Sequence, residues 1–86
     1  MSVSHQLSVR FFAGAAAAAG TEERRVEVTP TTSLGDLLDR LGAEGGERLS
    51  RVLASSSFLL DATAARRDTT LGDAGTLDVL PPFAGG

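Results

Sequence analysis

A stripe of leucines in the middle of the chain constrains the fold most strongly. The leucines follow Ser33 at the spacing i, i+3, i+4 and i+7, which places them on one face of an α-helix: Leu34, Leu37, Leu38 and Leu41. Ser33 is typical of a helix N-cap, and Asp36 three residues later forms a variant of the capping box. We expect Gly42 to end this helix. Because the chain has only 86 residues, it forms one small domain around this helix.

Strand-like segments lie on both sides of the helix. Before it, residues 7–11 and 25–29 alternate between apolar and polar side chains, as half-buried strands do. An alanine-rich helical turn that ends at Gly20 connects these two segments.

The second half of the chain predicts three more strands. Residues 58–60 form a short apolar run and residues 64–67 a short edge strand. Residues 76–80 form a last strand, apolar on both faces and therefore central. A shorter helical segment is expected around residues 49–53, and residues 70–73 resemble a single helical turn.

The order β-β-α-β-β predicts an α+β domain over residues 1–80. A four- to five-stranded mixed sheet that clasps one main helix is the β-grasp, the fold of ubiquitin. The chain has no cysteine, so its stability comes from one apolar core rather than from disulfide bonds.

The residue inventory excludes several kinds of active site. All basic residues are arginines, and without lysine there is neither a Walker-type phosphate loop nor a Schiff base. The single histidine, His5, lies at the amino end, so we expect neither a histidine-based triad nor a metal site built from several histidines. Because the net charge is −3 and no basic stripe is present, we expect no nucleic-acid partner.

Targeting signals are also weak. Residues 9–20 have an alternative interpretation as a secretion signal, but their apolar part is mostly alanine, and its removal would delete the first strand. No run approaches the roughly 20 apolar residues that span a bilayer. We therefore expect a cytoplasmic protein without a membrane partner.

The last six residues predict an extended tail that enters another protein's active site: Pro81, Pro82, Phe83, Ala84, Gly85 and Gly86. Proline lacks a backbone donor and fixes φ, so the diproline ends the last strand and stiffens the chain. The glycines have no Cβ and fit a narrow channel. The alternative is an ordinary disordered tail.

An apolar patch is predicted at the root of this tail. Phe12 and Leu80 both fall outside the inward alternation of their strands, and Leu59 lies between two inward residues. If the two terminal strands pair, these residues and Ala64 form a surface for a partner. The alternative places Phe12 in the core, beneath the alanine-rich turn.

The sequence resembles the small subunit of molybdopterin synthase, which belongs with the thiamin-type and other ubiquitin-like sulfur carriers. The resemblance rests on the segments 9–13 and 20–21, the leucine helix, and above all the ending 79–86. Two positions depart from the family. Ala16 stands where the family often has an arginine, and Asp61-Ala62 replaces an Asn-Gly or Asp-Gly turn, so this turn is expected to be longer or strained.

The resemblance implies a sulfur carrier. A ubiquitin-activating-like adenylyltransferase would use ATP to activate Gly86, and a sulfur donor protein would convert it to a thiocarboxylate, while Gly85 permits threading. The large subunit of molybdopterin synthase would then receive the sulfur for the dithiolene of molybdopterin. The chain itself would bind no cofactor and would not be an enzyme in isolation.

Two other functions share the same tail. One is a sulfur carrier for thiamin, cysteine or nucleobase thiolation, which differs only in its partner. The other is a ubiquitin-like protein tag or interaction module, which would form an isopeptide bond with a target lysine. The diproline ending favours the molybdopterin pathway, because the thiamin carriers are shorter and lack it.

Overall fold

The computed structural model describes residues 3–82. Within this range the elements follow the chain in the order β1 (His5–Phe11), α1 (Gly14–Ala19), β2 (Glu23–Val28), α2 (Leu34–Gly45), α3 (Glu47–Ser55), β3 (Ser57–Leu60), β4 (Thr63–Ala65) and β5 (Thr76–Leu80).

The strands form one mixed sheet in the order β2-β1-β5-β3-β4. The central strands β1 and β5 are parallel, and every other neighbouring pair is antiparallel. A parallel pair needs a crossover, and the intervening helices belong to that connection. This topology confirms the prediction of an α+β β-grasp with a five-stranded sheet.

The helices pack on one face of the sheet and build the core there. The four leucines of the stripe on α2 are almost completely buried against inward residues of the strands: Leu7, Val9, Phe11, Val26, Val28, Phe58, Leu60, Leu77 and Val79. Burying one leucine side chain stabilises a fold by about 2 kcal/mol. The opposite face of the sheet carries the alternate residues of the strands, and no helix of residues 3–82 belongs to it.

The start of α2 is as predicted, but its end is not. The Ser33 hydroxyl accepts a hydrogen bond of 3.1 Å from the backbone N–H of Asp36. The helix does not end at Gly42 and continues to Gly45, and the chain reverses at Gly46 with φ 98°. Gly42 is buried inside the helix, and a Cβ at this position would clash with the side chain of Ser50 on α3. It therefore serves helix packing instead of helix termination.

Three further expectations for the second half of the chain were wrong. Residues 70–73 form no helical turn, because Gly72 has a positive φ of 56° and the chain makes a tight turn there. The edge strand is β4 and ends at Ala65, since the N–H of Arg66 donates to the hydroxyl of Thr69 at 3.0 Å. The last strand is not apolar on both faces, as Asp78 lies on its outer face.

The turn between β3 and β4 is strained rather than long. Leu60 pairs directly with Thr63, so the loop contains only Asp61 and Ala62. Both have positive φ, 46° and 68°, as a type I′ turn requires. The Asp61 carboxylate accepts hydrogen bonds from the N–H groups of Gly75 and Thr76, at 3.0 and 3.1 Å, and thereby holds this turn against the start of β5.

Candidate docking face and tail root

The central strand β5 determines where the tail leaves the domain. It lies between β1 and β3, so the chain leaves from the middle of the sheet after Leu80. Pro81 is buried and Pro82 is exposed. The predicted tail residues Phe83, Ala84, Gly85 and Gly86 lie outside the described residues, so the predictions for them stay predictions.

Strand register brings Phe12 next to Leu80 on the outer face. Phe11 pairs with Val79 in the parallel β1–β5 ladder, and the N–H of Phe12 donates to the carbonyl of Val79 at 3.2 Å. Phe11 and Val79 point into the core. Phe12, which directly follows β1, and Leu80, the last residue of β5, therefore point to the opposite face.

Leu59 and Ala64 lie on the same outer face. Leu59 pairs with Asp78 on one side and with Ala64 on the other, and residues directly opposite each other in a ladder share a face. The structure thus brings together the four residues predicted for a partner surface, which we call the outer-face patch: Phe12, Leu59, Ala64 and Leu80.

The outer-face patch is accessible. Phe12 has 39% of its surface exposed, so the alternative that placed it in the core is wrong. Leu59 and Leu80 are half-buried, and Ala64 is exposed. Exposed aromatic and aliphatic side chains that adjoin one another are typical of protein interaction sites.

An ion pair borders the outer-face patch, and sequence reasoning missed it. Asp78 is only 8% exposed, and its carboxylate accepts hydrogen bonds from Nε and Nη2 of Arg10 at 2.7 and 3.0 Å. The hydrogen bond with Asp78, and then the charge of Asp78, raise the pKa of Arg10 above its usual value. The signal in the sequence was that both residues occupy outward positions of the two terminal strands.

Arg10 also contacts the patch itself. Its guanidinium carbon lies 5.8 Å from the centre of the Phe12 ring, within the range of a cation–π interaction. Arg10 is therefore held by Asp78 on one side and lies over the ring of Phe12 on the other. This arrangement fixes the shape of the surface before a partner arrives, which lowers the entropy lost on binding.

Within residues 3–82 no group of His, Cys, Asp and Glu side chains could hold a metal ion, and no helix there is long and apolar enough to cross a membrane. The ring of His5 makes a hydrogen bond of 2.9 Å with the carbonyl of Ala74. His5 therefore tethers β1 to the loop before β5.

Ala16 is the residue that departs from the arginine expected from the resemblance. Its side chain is partly buried and packs against the core.

Solved structures share this fold. SAMP1 from Haloferax volcanii is 28% identical with a TM-score of 0.76, covering 95% of this chain and all of the other. A chain in the complex of subunits 1 and 2 of molybdopterin-converting factor from Helicobacter pylori is 24% identical with a TM-score of 0.65, at the same coverage. A ubiquitin from Caldiarchaeum subterraneum is 15% identical with a TM-score of 0.55, again covering 95% and 100%. The last two likenesses establish the β-grasp fold.

The family follows from the sequence match. The model of the ThiS family matches residues 9–86, which includes the end of β1, the strands β2 to β5, the helices α1 to α3 and the Gly-Gly ending. The match confirms the resemblance that the tail and the leucine helix suggested. The chain belongs to the ThiS family of ubiquitin-like sulfur carriers.

Proposed function

We propose that the chain is the cytoplasmic, sulfur-carrying small subunit of a molybdopterin synthase. The observation that carries this proposal is the position of the outer-face patch. Phe12 and Leu80 adjoin at the end of β5, the strand that leads directly into the tail. A partner that binds the patch is therefore positioned to receive the tail in its own active site.

The chemistry takes place on the carboxylate of Gly86. An oxygen of this carboxylate attacks the α-phosphorus of ATP in a ubiquitin-activating-like adenylyltransferase, and pyrophosphate leaves. A sulfur donor protein then supplies sulfur at the oxidation level of sulfide to the acyl carbon, and AMP leaves. The product is a thiocarboxylate, which is a nucleophile at neutral pH. Gly85 and Gly86 have no side chain, which suits passage through a narrow channel.

The amino-acid composition fits a chain that depends on partner proteins for catalysis. The chain contains neither lysine nor cysteine, so the catalytic base and the substrate pocket belong to the partners. The large subunit of molybdopterin synthase is the proposed recipient of the sulfur. The fold likeness to a complex of subunits 1 and 2 of molybdopterin-converting factor supports a partner of this kind.

A protein modifier is the second candidate function. It is favoured by the 28% identity with SAMP1, which a second structure from the same organism calls small archaeal modifier protein 1. The activated tail would then form an isopeptide bond with a lysine of a target protein. Sulfur carriers for thiamin, cysteine or nucleobase thiolation are a third possibility and differ from the first only in the recipient.

Intact-mass spectrometry tests the chemistry. The chain is incubated with its activating enzyme, ATP and a sulfur donor. We expect a mass gain equal to the replacement of one oxygen by one sulfur. Deleting Gly86 abolishes this gain, whereas Arg48→Ala, an exposed position on α3, leaves it unchanged. Sulfur loading of the chain that lacks Gly86 would contradict the mechanism.

Reconstitution with the recipient separates the candidates. The loaded chain is mixed with the large molybdopterin synthase subunit and the pterin precursor, cyclic pyranopterin monophosphate. Formation of the dithiolene supports the first candidate. If the loaded chain instead yields covalent conjugates with other proteins and no dithiolene, it is a modifier. If only a thiazole or cysteine synthase consumes the sulfur, it serves another pathway.

A further inference from the structure

A groove runs along the sheet edge formed by β4, between that strand and the C-terminal half of α3. Its volume is about 480 Å³, within the range of sites that bind ligands. Leu53 and Phe58 form its floor and are both largely buried. The rest of its lining consists of small side chains, including Ala54, Ser57 and Ala65, together with Arg66 and Arg67. The groove is therefore apolar at the bottom and has room for larger side chains from another molecule.

The strand that borders the groove has unused backbone groups. In a two-residue hairpin the residues that flank the turn exchange hydrogen bonds, and this pairing then alternates along the strands. Thr63 and Ala65 thus bond to β3, while the N–H and C=O of Ala64 point away from the sheet. Beyond β4, the N–H of Arg66 donates to the hydroxyl of Thr69, and the N–H of Thr69 donates to the carbonyl of Arg66, both at 3.0 Å. Ala64 is therefore the residue of this edge whose backbone N–H and C=O can bond to an added strand.

The other edge of the sheet is partly covered by the protein's own side chains. Arg40 on α2 donates a hydrogen bond of 3.0 Å to the carbonyl of Glu27 on β2. Arg24 on β2 reaches Glu44 on α2 at 3.0 Å. These contacts bridge β2 and α2, whereas among residues 3–82 no side-chain hydrogen bond or ion pair bridges β4 and α3. The two edges of the sheet therefore differ in their capacity to accept a strand.

A positive charge stands at the mouth of the groove. Arg66 is exposed, and among residues 3–82 no acidic side chain lies within ion-pair distance of it. The neighbouring Arg67 is already bound to Asp39 at 2.7 Å and to the carbonyl of Gly35 at 3.2 Å. Arg66 is thus the cation that an incoming carboxylate would meet.

We propose that this groove binds an extended, apolar and acidic peptide segment of a partner protein, which adds a strand beside Ala64, places aliphatic side chains over Leu53 and Phe58, and pairs a carboxylate with Arg66. Main-chain hydrogen bonds and alternate side-chain pockets are how peptides bind to sheet edges. Ser57, which lines the groove, pairs with Leu80. The groove consequently opens at the same end of the sheet as the tail. This inference is independent of the sulfur chemistry.

A synthetic peptide tests the proposal on the full chain. The probe is acetyl-Asp-Val-Thr-Val-Asp-Asp-amide, in which both valines face one side of an extended strand. It is titrated into ¹⁵N-labelled protein, and amide chemical shifts are followed. We expect saturable shifts at Ala54, Ser57, Ala64, Ala65 and Arg66, and none at Phe12. A peptide with lysine in place of aspartate should bind at least about tenfold more weakly, because its charge opposes Arg66.

Two variants and one control make the test specific. Arg66→Glu should weaken binding about tenfold through charge reversal, and Ala54→Gln about fivefold by filling the groove. Both positions are exposed, and Arg25→Glu on β2, also exposed, should leave the affinity unchanged. Absence of saturable shifts at millimolar peptide, or shifts centred on Phe12, Leu59 and Leu80, would overturn the proposal. Concentration-dependent shifts of the same groove amides without peptide would assign the groove to a second copy of the chain and overturn it as well.

Discussion

Arg10 and Asp78 lie opposite each other on the parallel strands β1 and β5 and form two hydrogen bonds, of 2.7 and 3.0 Å, on the outer face of the sheet. The two residues are separated by 68 positions in the chain. Their pair ties the first strand to the last one directly beside the root of the tail. Its acidic member is largely buried, so the pair differs from the other ion pairs, in which both side chains are well exposed.

Removing the arginine of this pair should destabilise the fold. In Arg10→Ala the carboxylate of Asp78 keeps its buried position and loses both hydrogen bonds, and a buried polar group without a partner is destabilising. We expect a drop in the urea midpoint roughly twice that of Arg24→Ala, whose partner Glu44 remains solvated.

Chemical denaturation followed by circular dichroism measures both variants. The double variant Arg10→Ala/Asp78→Ala should recover part of the loss, because no charge is then left unpaired on the sheet. Equal midpoints for Arg10→Ala and Arg24→Ala would mean that the contact with Asp78 contributes no more than a surface pair.

A glycine in the β3–β4 turn should stabilise the protein. Ala62 has φ 68°, a conformation that disfavours any residue with a Cβ by about 1 kcal/mol. Ala62→Gly removes this strain and should raise the free energy of unfolding by about 0.5–1 kcal/mol. The matched control is Ala17→Gly in the exposed face of α1, which should lower it by a similar amount. Thermal and urea unfolding measure both, and destabilisation by Ala62→Gly would contradict the left-handed geometry.

The elements that depend on local periodicity could be predicted from the sequence alone. The leucine stripe and the Ser33 cap predicted the start of α2, and alternation along residues 7–11 predicted β1 and its buried face. Both signals arise within one or two turns of chain, where the spacing of apolar residues determines which face is buried. The outer-face patch followed from the same alternation, because Phe12 and Leu80 fall on the side that the core does not use.

Features that depend on tertiary contacts were missed. Gly42 resembles a helix end, but its function is to let α3 approach, and Ser50 makes that contact. Asp78 resembles an ordinary polar residue in a strand until β1 places Arg10 beside it. The groove beside β4 depends on where α3 lies relative to the sheet edge, and no local pattern encodes that distance. Contacts between distant segments explain each of these differences.

Gly35 should not tolerate a side chain, even though it lies in a helix. A Cβ at this position would stand 3.1 Å from the carbonyl oxygen of Arg67 and 3.3 Å from its Cβ. That carbonyl cannot move freely, because it accepts a hydrogen bond of 2.8 Å from the N–H of Gly35. Gly35→Ala should therefore lower the free energy of unfolding by about 1 kcal/mol net, despite the higher helix propensity of alanine.

Gly14→Ala is the control for this substitution. A Cβ at Gly14 would meet no atom of residues 3–82 within 4 Å beyond its own neighbourhood, so this variant should be neutral or slightly stabilising. Both are measured by urea denaturation. If Gly35→Ala is as stable as Gly14→Ala, the loop that carries Arg67 yields more easily than its hydrogen bond suggests.

Docking through the outer-face patch predicts a loss of affinity without a loss of stability. Phe12 is an exposed aromatic side chain, and truncating such an anchor at the centre of an interface weakens binding by about 2 kcal/mol, roughly 30-fold in Kd. Phe12→Ser should therefore bind the large molybdopterin synthase subunit about 30-fold more weakly by calorimetry, while its unfolding midpoint changes little, because the ring is 39% exposed and lies outside the core cluster.

Val3→Ser is the matched control, since Val3 is the other large apolar side chain that is exposed among the described residues, at 67%, and it is not part of the patch. Its affinity for the large subunit should equal that of the unchanged protein. If Phe12→Ser binds as tightly as Val3→Ser, the partner does not use the outer face, and the tail must be presented from another side of the domain. A loss in both variants would instead indicate a general effect of reduced surface hydrophobicity, because the two positions share exposure but not location.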